Sequence, residues 1–148
     1  MAYITCGSLI REDVPRLAKE NEIQLCNSIT NEDCEILAEV LQITATLETL
    51  SFYDDSVIAL QNNKFVEALA KNRTIKLLHF PYGQHGGVEG AKAIAAILKE
   101  NSTIENIGLF NNRIGDEGVA ALSEALKVNS TLQCLDLDRN NIGANGAK

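Results

Sequence analysis

Apolar residues along the chain follow two different spacings in turn, and this change of period predicts short strands joined to helices. The segment IENIGLF, which begins at Ile104, ends with apolar residues at alternating positions, as in a half-buried strand. The stretch VAALSEALK that follows places Val119, Leu122 and Leu126 three and four residues apart, as on the buried stripe of a helix. A loop that contains Asn112 and two glycines separates them. The pattern therefore predicts a strand–loop–helix unit.

The same unit recurs from Ile104 to Leu132, an offset of 28 residues, and less regular copies precede it. The recurring positions are Ile104, Ile107, Leu109, Asn112, Ile114, Gly115 and Gly118, which return as Leu132, Leu135, Leu137, Asn140, Ile142, Gly143 and Gly146. Seven matches at one offset are not expected by chance. We therefore interpret residues 1–148 as a single domain, with an N-terminal cap at 1–22, repeats at about 23–46, 47–74, 75–103 and 104–131, and an incomplete repeat at 132–148.

A single unit of this kind cannot bury its own apolar side, so neighbouring units must stack. The pattern LxxLxLxxNxIGxxGxxxLxxAL, clearest over residues 75–148, resembles the ribonuclease-inhibitor class of leucine-rich repeats. Similar repeats occur in NOD-like receptors, Ran GTPase activators and eukaryotic-like effectors of intracellular bacteria. The resemblance implies an α/β leucine-rich-repeat solenoid in the form of a horseshoe arc, with parallel strands on the concave face and helices on the convex face.

The charge of the chain narrows the class of partner. The formal net charge is −7 and no run of Lys or Arg is present, so the basic footprint required for nucleic acid or an anionic membrane is missing. The same charge would steer a partner that carries a basic patch. No apolar run approaches the roughly 18 residues that a membrane-spanning helix requires.

The cysteines and the N-terminal segment indicate the cellular compartment of the protein. Cys6, Cys26, Cys34 and Cys134 form no CxxC pair, so we interpret them as buried or half-buried thiols in a reducing compartment. The N-terminal segment lacks a secretory signal. We therefore expect a cytoplasmic protein, or one delivered into a host cytoplasm without a Sec-type signal. The last repeat ends after about one turn of helix, and we expect it to come from a longer array.

Motifs for catalysis are missing. The sequence has no nucleophile motif, no phosphate-binding glycine spacing and only two histidines, His79 and His85. We therefore expect no catalysis, no cofactor or metal and no small-molecule substrate. Asn72, Asn101 and Asn129 each begin an acceptor triplet for N-glycosylation. All three lie at the same repeat position, a helix-to-strand turn, so the repeat explains them better than glycosylation does.

Side chains at the outward positions of the strands are the candidate binding residues, since strand alternation turns them away from the core. Tyr53, Tyr82 and Phe110 form a candidate aromatic stripe, and large exposed rings often mark contact sites. Alternatively, the rings fold over the strand ends and cover the core. Carboxylates beside the stripe form a candidate acidic rim, which alternatively serves only solubility. The rim residues are Asp54, Asp136 and Asp138, and His79, Asn111 and Arg139 complete the candidate set.

The resemblance implies a protein–protein interaction module. We expect the concave face to bind another protein, of which an enzyme is one option. Binding would regulate or inhibit that protein by covering its working surface. Two alternatives remain open. One is a GTPase-activating protein of the Ran-activator type, which a GTP-hydrolysis assay with and without the chain would distinguish. The other is a set of sensor repeats from an innate-receptor-like protein.

Overall fold

The computed structural model describes residues 2–5, 9–26, 29–53, 58–81 and 86–147, and over these ranges short strands alternate with helices. The strands are β1 (Ala2–Thr5), β2 (Glu22–Cys26), β3 (Thr49–Tyr53), β4 (Leu77–His79), β5 (Asn106–Gly108) and β6 (Cys134–Asp136). The helices are α1 (Val14–Leu17), α2 (Asn31–Ile43), α3 (Ile58–Gln61), α4 (Asn63–Lys71), α5 (Gly87–Glu100) and α6 (Gly115–Leu126).

Within the described residues the strands form one sheet in the order β1 to β6, and each pairs in parallel with the next. The register places Leu50, Leu78, Ile107 and Leu135 side by side on four successive strands. These are the apolar strand positions that the repeat pattern equates. The predicted fold class, an α/β solenoid with parallel strands, is therefore confirmed.

The segment interpreted as an N-terminal cap contributes a strand of its own. Ala2 of β1 pairs with Ile23 of β2, so the sheet continues into this segment. A 3-10 turn at Arg11–Asp13 leads into α1. Asp13 stands at the N-cap position of α1, but its side chain makes no capping hydrogen bond to a backbone N–H of that helix. Instead the Asp13 carboxylate accepts from the Arg16 guanidinium and from the backbone N–H of Ile10, and both bonds lower its pKa.

The core lies between the sheet and the helices, and aromatic rings join two repeats within it. Phe52 and Phe80 occupy equivalent positions after Leu50 and Leu78, and their rings stack with centroids 4.4 Å apart. Phe65 of α4 meets Phe52 edge-on at 5.7 Å. All three rings are buried. Aromatic pairs of this geometry contribute about 1 kcal/mol each beyond the area they bury.

A ladder of asparagines connects the helix-to-strand turns of successive repeats. The Asn101 side-chain amide donates to the carbonyls of Leu69 and Asn72 in the preceding repeat, at 3.0 and 2.9 Å. Its Oδ1 accepts the backbone N–H groups of Thr103 and Ile104, both at 2.9 Å. Asn72 and Asn129 repeat this arrangement. These are the asparagines of the three glycosylation-like triplets, and their amides are engaged in the structure.

A second ladder connects the loops that follow the strands. The Asn140 amide donates to the carbonyls of Leu109 and Leu137 at 2.7 and 2.8 Å, and its Oδ1 accepts the N–H of Asn112 at 2.8 Å. The Asn112 amide reaches back to the carbonyl of Phe80 at 2.6 Å. The backbone groups of each loop have no strand neighbour to pair with. An asparagine side chain from the next repeat satisfies them instead.

Burial decreases at the C-terminal end of the stack. Leu135 and Leu137 are only half-buried, whereas the equivalent Leu78 and Phe80 are buried. Leu126, which the pattern places on the buried stripe of a helix, is 39 % exposed, so this assignment was wrong. The physical reason is that residues 144–147 form only a turn, and no further helix of the described chain covers α6.

Replacing Asn101 with Ala should lower the free energy of unfolding by about 2–4 kcal/mol, because two buried carbonyls and two buried N–H groups lose their partners together. Urea unfolding followed by circular dichroism measures this. Asn106→Ala, a half-exposed asparagine of β5, is the control and should change the same quantity by less than about 0.5 kcal/mol. Equal changes in the free energy of unfolding for the two substitutions would contradict a stabilising role of the Asn101 hydrogen bonds.

Candidate protein-binding surface

The outward positions of the strands form one continuous surface on the side of the sheet opposite the helices. In β3, for example, Leu50 and Phe52 point into the core while Thr49, Ser51 and Tyr53 point away from it. We call this surface, together with the turn residues that directly follow β5 and β6, the strand face. The strand positions are Glu22, Gln24, Cys26, Thr49, Ser51, Tyr53, Leu77, His79, Asn106, Gly108, Cys134 and Asp136.

The predicted binding residues lie at strand ends and in the turns beyond them. Tyr53, His79 and Asp136 are the last residues of β3, β4 and β6. The pattern predicts strand positions for the other described members, but they lie in the turns after β5 and β6. They are Phe110, Asn111, Asp138 and Arg139. Asp54 and Tyr82 lie outside the described residues. The strands are shorter than expected because the backbone turns into the left-handed region at Asn111 and Arg139, with φ of 58° at both.

Two of the three predicted rings share one row. Ser51, His79, Gly108 and Asp136 are aligned by the strand register. Two residues further along each repeat come Tyr53, Pro81, Phe110 and Asp138, of which Pro81 is half-buried. Tyr53, 37 % exposed, and the half-buried Phe110 are therefore about 10 Å apart, two strand spacings, with Pro81 between them. The ring edges and the proline form a largely apolar band.

Arg139 folds over the Phe110 ring. Its guanidinium carbon lies 5.2 Å from the ring centroid, in the range of a cation–π contact. An exposed contact of this kind contributes about 0.5–1 kcal/mol. The left-handed backbone at Arg139 costs about 1–2 kcal/mol for an ordinary residue, and the equivalent residue one repeat earlier is Asn111, a type that tolerates it better. The contact with Phe110 thus offsets part of the backbone strain.

His79 lies against Gly108, a neighbour that the sequence reasoning missed. A β-carbon built at position 108 would overlap Cδ2 of His79 and lie 2.8 Å from its Nε2, so the imidazole occupies the space that a side chain would take. The available signal was the register, which aligns His79 with a glycine in the next repeat. The ring therefore covers position 108 on the strand face.

The strand face is acidic at its C-terminal end. Asp136 and Asp138 are both exposed, and Asp136 Oδ1 accepts the backbone N–H of Asp138 at 2.9 Å. On the rim that precedes the strands, Lys76 pairs with Glu48 at 2.7 Å. The hydrogen bond to Glu48 raises the pKa of Lys76, and Glu105 adds to the effect. Lys76 is therefore bound within the chain, between carboxylates.

Comparison with known families agrees with this architecture. Residues 100–123 and 128–148 match the family model described as a leucine-rich repeat. These two segments carry leucine-rich repeats. No curated protein matches it. Leucine-rich repeats generally mediate protein–protein interaction and are typically non-catalytic modules.

The thiols of this chain differ in their accessibility. Cys34 is buried in α2, and burial raises its pKa to about 12, so it stays protonated at neutral pH. Cys26 is half-buried. Cys134 is exposed on β6, contrary to the expectation of buried or half-buried thiols, because no seventh strand covers this edge in the described chain. Cys6 lies outside the described residues.

The described residues contain no group of three or more His, Cys, Asp or Glu side chains arranged to hold a metal ion. None of the helices in the same residues is long and apolar enough to cross a membrane.

Two glycines at different depths provide a matched test of this geometry. Gly108→Ala should displace the His79 ring but change the free energy of unfolding by less than about 1 kcal/mol, because the ring is the end of a surface side chain. Gly118→Ala should cost about 1–3 kcal/mol, because its β-carbon would overlap Ile114 and lie 3.0 Å from the Ala91 β-carbon in the core.

Urea unfolding of both variants and the chemical shifts of the His79 ring measure the two effects. Unmoved His79 shifts in Gly108→Ala would show that the ring does not lie over position 108.

Proposed function

We propose that this chain is a non-catalytic binding module whose strand face holds another protein and regulates or inhibits it by covering its working surface. The observation that carries the proposal is the row formed by Tyr53 at the end of β3 and by Pro81 and Phe110 in the turns after β4 and β5. Large rings contribute much of the energy of protein interfaces while losing little conformational entropy on binding.

The scaffold supports this role because its hydrogen bonds hold the row in place. The strands are hydrogen-bonded to one another, and asparagines tie the loops beyond β5 and β6 together. Outward side chains contribute little to the core, so their identities are available for recognition. A surface held in this way loses little freedom on binding, and this favours affinity.

The proposal places the protein in a reducing compartment such as the cytoplasm. Cys26, Cys34 and Cys134 are free thiols. Disulfides persist in oxidising compartments and are rare in the cytosol, so free thiols are compatible with a cytoplasmic protein.

Tyr53→Ala combined with Phe110→Ala should weaken capture of the natural partner by about 2 kcal/mol or more, roughly 30-fold in dissociation constant, because both rings of the row are removed. The partner is first isolated with the unmodified chain by affinity capture and mass spectrometry. Its affinity for each variant is then measured by isothermal titration calorimetry, and its activity is assayed with and without the chain.

The matched control is Ile43→Ala combined with Val128→Ala. These residues are 60 % and 68 % exposed and lie away from the strand face, at the end of α2 and just after α6. The control should bind as the unmodified chain does, and circular dichroism should show that all variants fold. If the control loses the partner while the ring variant keeps it, the helix side is the binding surface and the proposal is wrong.

A further inference from the structure

Negative charge predominates on the strand face and its rim. Among the described residues there, the carboxylates are Glu22, Glu48, Glu105, Asp136 and Asp138, and the cations are Lys76 and Arg139. Lys76 is already paired with Glu48. None of the outward positions of β2 to β6 is Lys or Arg. A partner surface of opposite sign would be steered towards this face.

Asp136 and Asp138 are the carboxylates at the C-terminal end of the strand face. Both are exposed, and neither is in an ion pair with another described residue. On the helix side, by contrast, the exposed carboxylates Glu89 and Glu117 both lie 2.9 Å from Lys92. The charge at the C-terminal end of the strand face is therefore not compensated in the same way.

The exposed side of the Phe110 ring binds a cationic group of the chain itself. The Arg139 guanidinium lies over it at 5.2 Å, although exposed carboxylates stand at positions 136 and 138 of the same repeat. A ring that holds the chain's own guanidinium offers the same surface to a guanidinium from outside.

We propose that the C-terminal half of the strand face binds a basic, extended segment of a partner protein, and that Arg139 occupies the Phe110 ring as an internal substitute for one of its cations. This inference rests on the proposed function of the strand face and names the partner's chemistry. In the complex, a partner Arg or Lys lies over Phe110, Arg139 swings away, and Asp136 and Asp138 pair with neighbouring cations of the segment.

Arg139 distinguishes this proposal from recognition of an acidic partner. If the partner is basic, Arg139 competes with it, and removing Arg139 strengthens binding. If the partner is acidic, Arg139 is an anchor for its carboxylates, and removing it weakens binding. The two outcomes have opposite signs, so one substitution decides between them.

The probe is a fluorescein-labelled peptide in which arginine alternates with serine, so that its cations project on one side when extended. Fluorescence anisotropy measures its affinity for the full chain at low ionic strength and at physiological ionic strength. Arg139→Gln should tighten binding about threefold, since the ring is freed and a like charge removed. Asp136→Asn combined with Asp138→Asn should weaken it about tenfold, and Phe110→Leu should weaken it about threefold.

The matched control is Glu67→Gln combined with Glu100→Gln, which removes two exposed carboxylates from α4 and α5 and leaves the same net charge as the double Asp variant. It should bind the peptide within about twofold of the unmodified chain, allowing only for the change in long-range attraction. Equal weakening by both double variants would mean attraction to overall charge only and would overturn the proposal. Tighter binding of a peptide with glutamate in place of arginine, or weaker binding by Arg139→Gln, would also overturn it.

The experiments distinguish failure of the basic-segment proposal from failure of the proposed function of the strand face. If Tyr53→Ala with Phe110→Ala abolishes capture of the natural partner but the arginine peptide does not bind, the strand face is a binding surface and only its basic specificity is wrong. If the peptide binds as expected while the ring variant still captures the natural partner, the basic site exists but the proposed function of the face is wrong.

Discussion

The structure depends on the way one repeat satisfies the backbone of the repeat before it. In the turns and loops the chain has no strand neighbour, so its carbonyls would remain unpaired inside the stack. Asn101 donates to the Leu69 carbonyl and Asn140 to the Leu109 carbonyl, each from the following repeat. An asparagine can do this because its amide donates while its oxygen accepts, so one side chain closes its own turn and bridges to its neighbour. Stacking and hydrogen bonding therefore specify the same spacing.

This constraint acts on one side of the sheet only. The asparagines and the apolar strand residues are occupied with the core, whereas the outward residues of the same strands are left to vary. The result is a rigid surface on which equivalent positions of successive repeats stand side by side. On this chain those positions include the rings Tyr53 and Phe110 and, at the end of the stack, Asp136 and Asp138. A nearly constant scaffold thus presents side chains that differ from repeat to repeat, which suits protein recognition.

The candidate site was predictable in composition but not in arrangement. Strand alternation predicted that Tyr53, Phe110, Asp136 and Asp138 point outward. Tyr53 and Asp136 do end strands, whereas Phe110 and Asp138 lie in the turns beyond them. The contact between Arg139 and Phe110 was not predictable, because it depends on a left-handed turn that brings a residue of one repeat over a ring of another. Leu126 shows the same limit in the core. Its helical spacing predicts burial, but burial requires a neighbouring helix that the described chain does not place there.

The amino-acid sequence by itself determined the repeat, its offset, the parallel order of the strands and most of the core residues, because each of these follows from periodic local patterns that recur from unit to unit. The tertiary structure decided which atoms meet across repeats: the partners of Asn72, Asn101 and Asn129, the stacking of Phe52 on Phe80, and the placement of His79 against Gly108. Those contacts join residues that are distant along the chain. Their geometry exists only once the stack has formed.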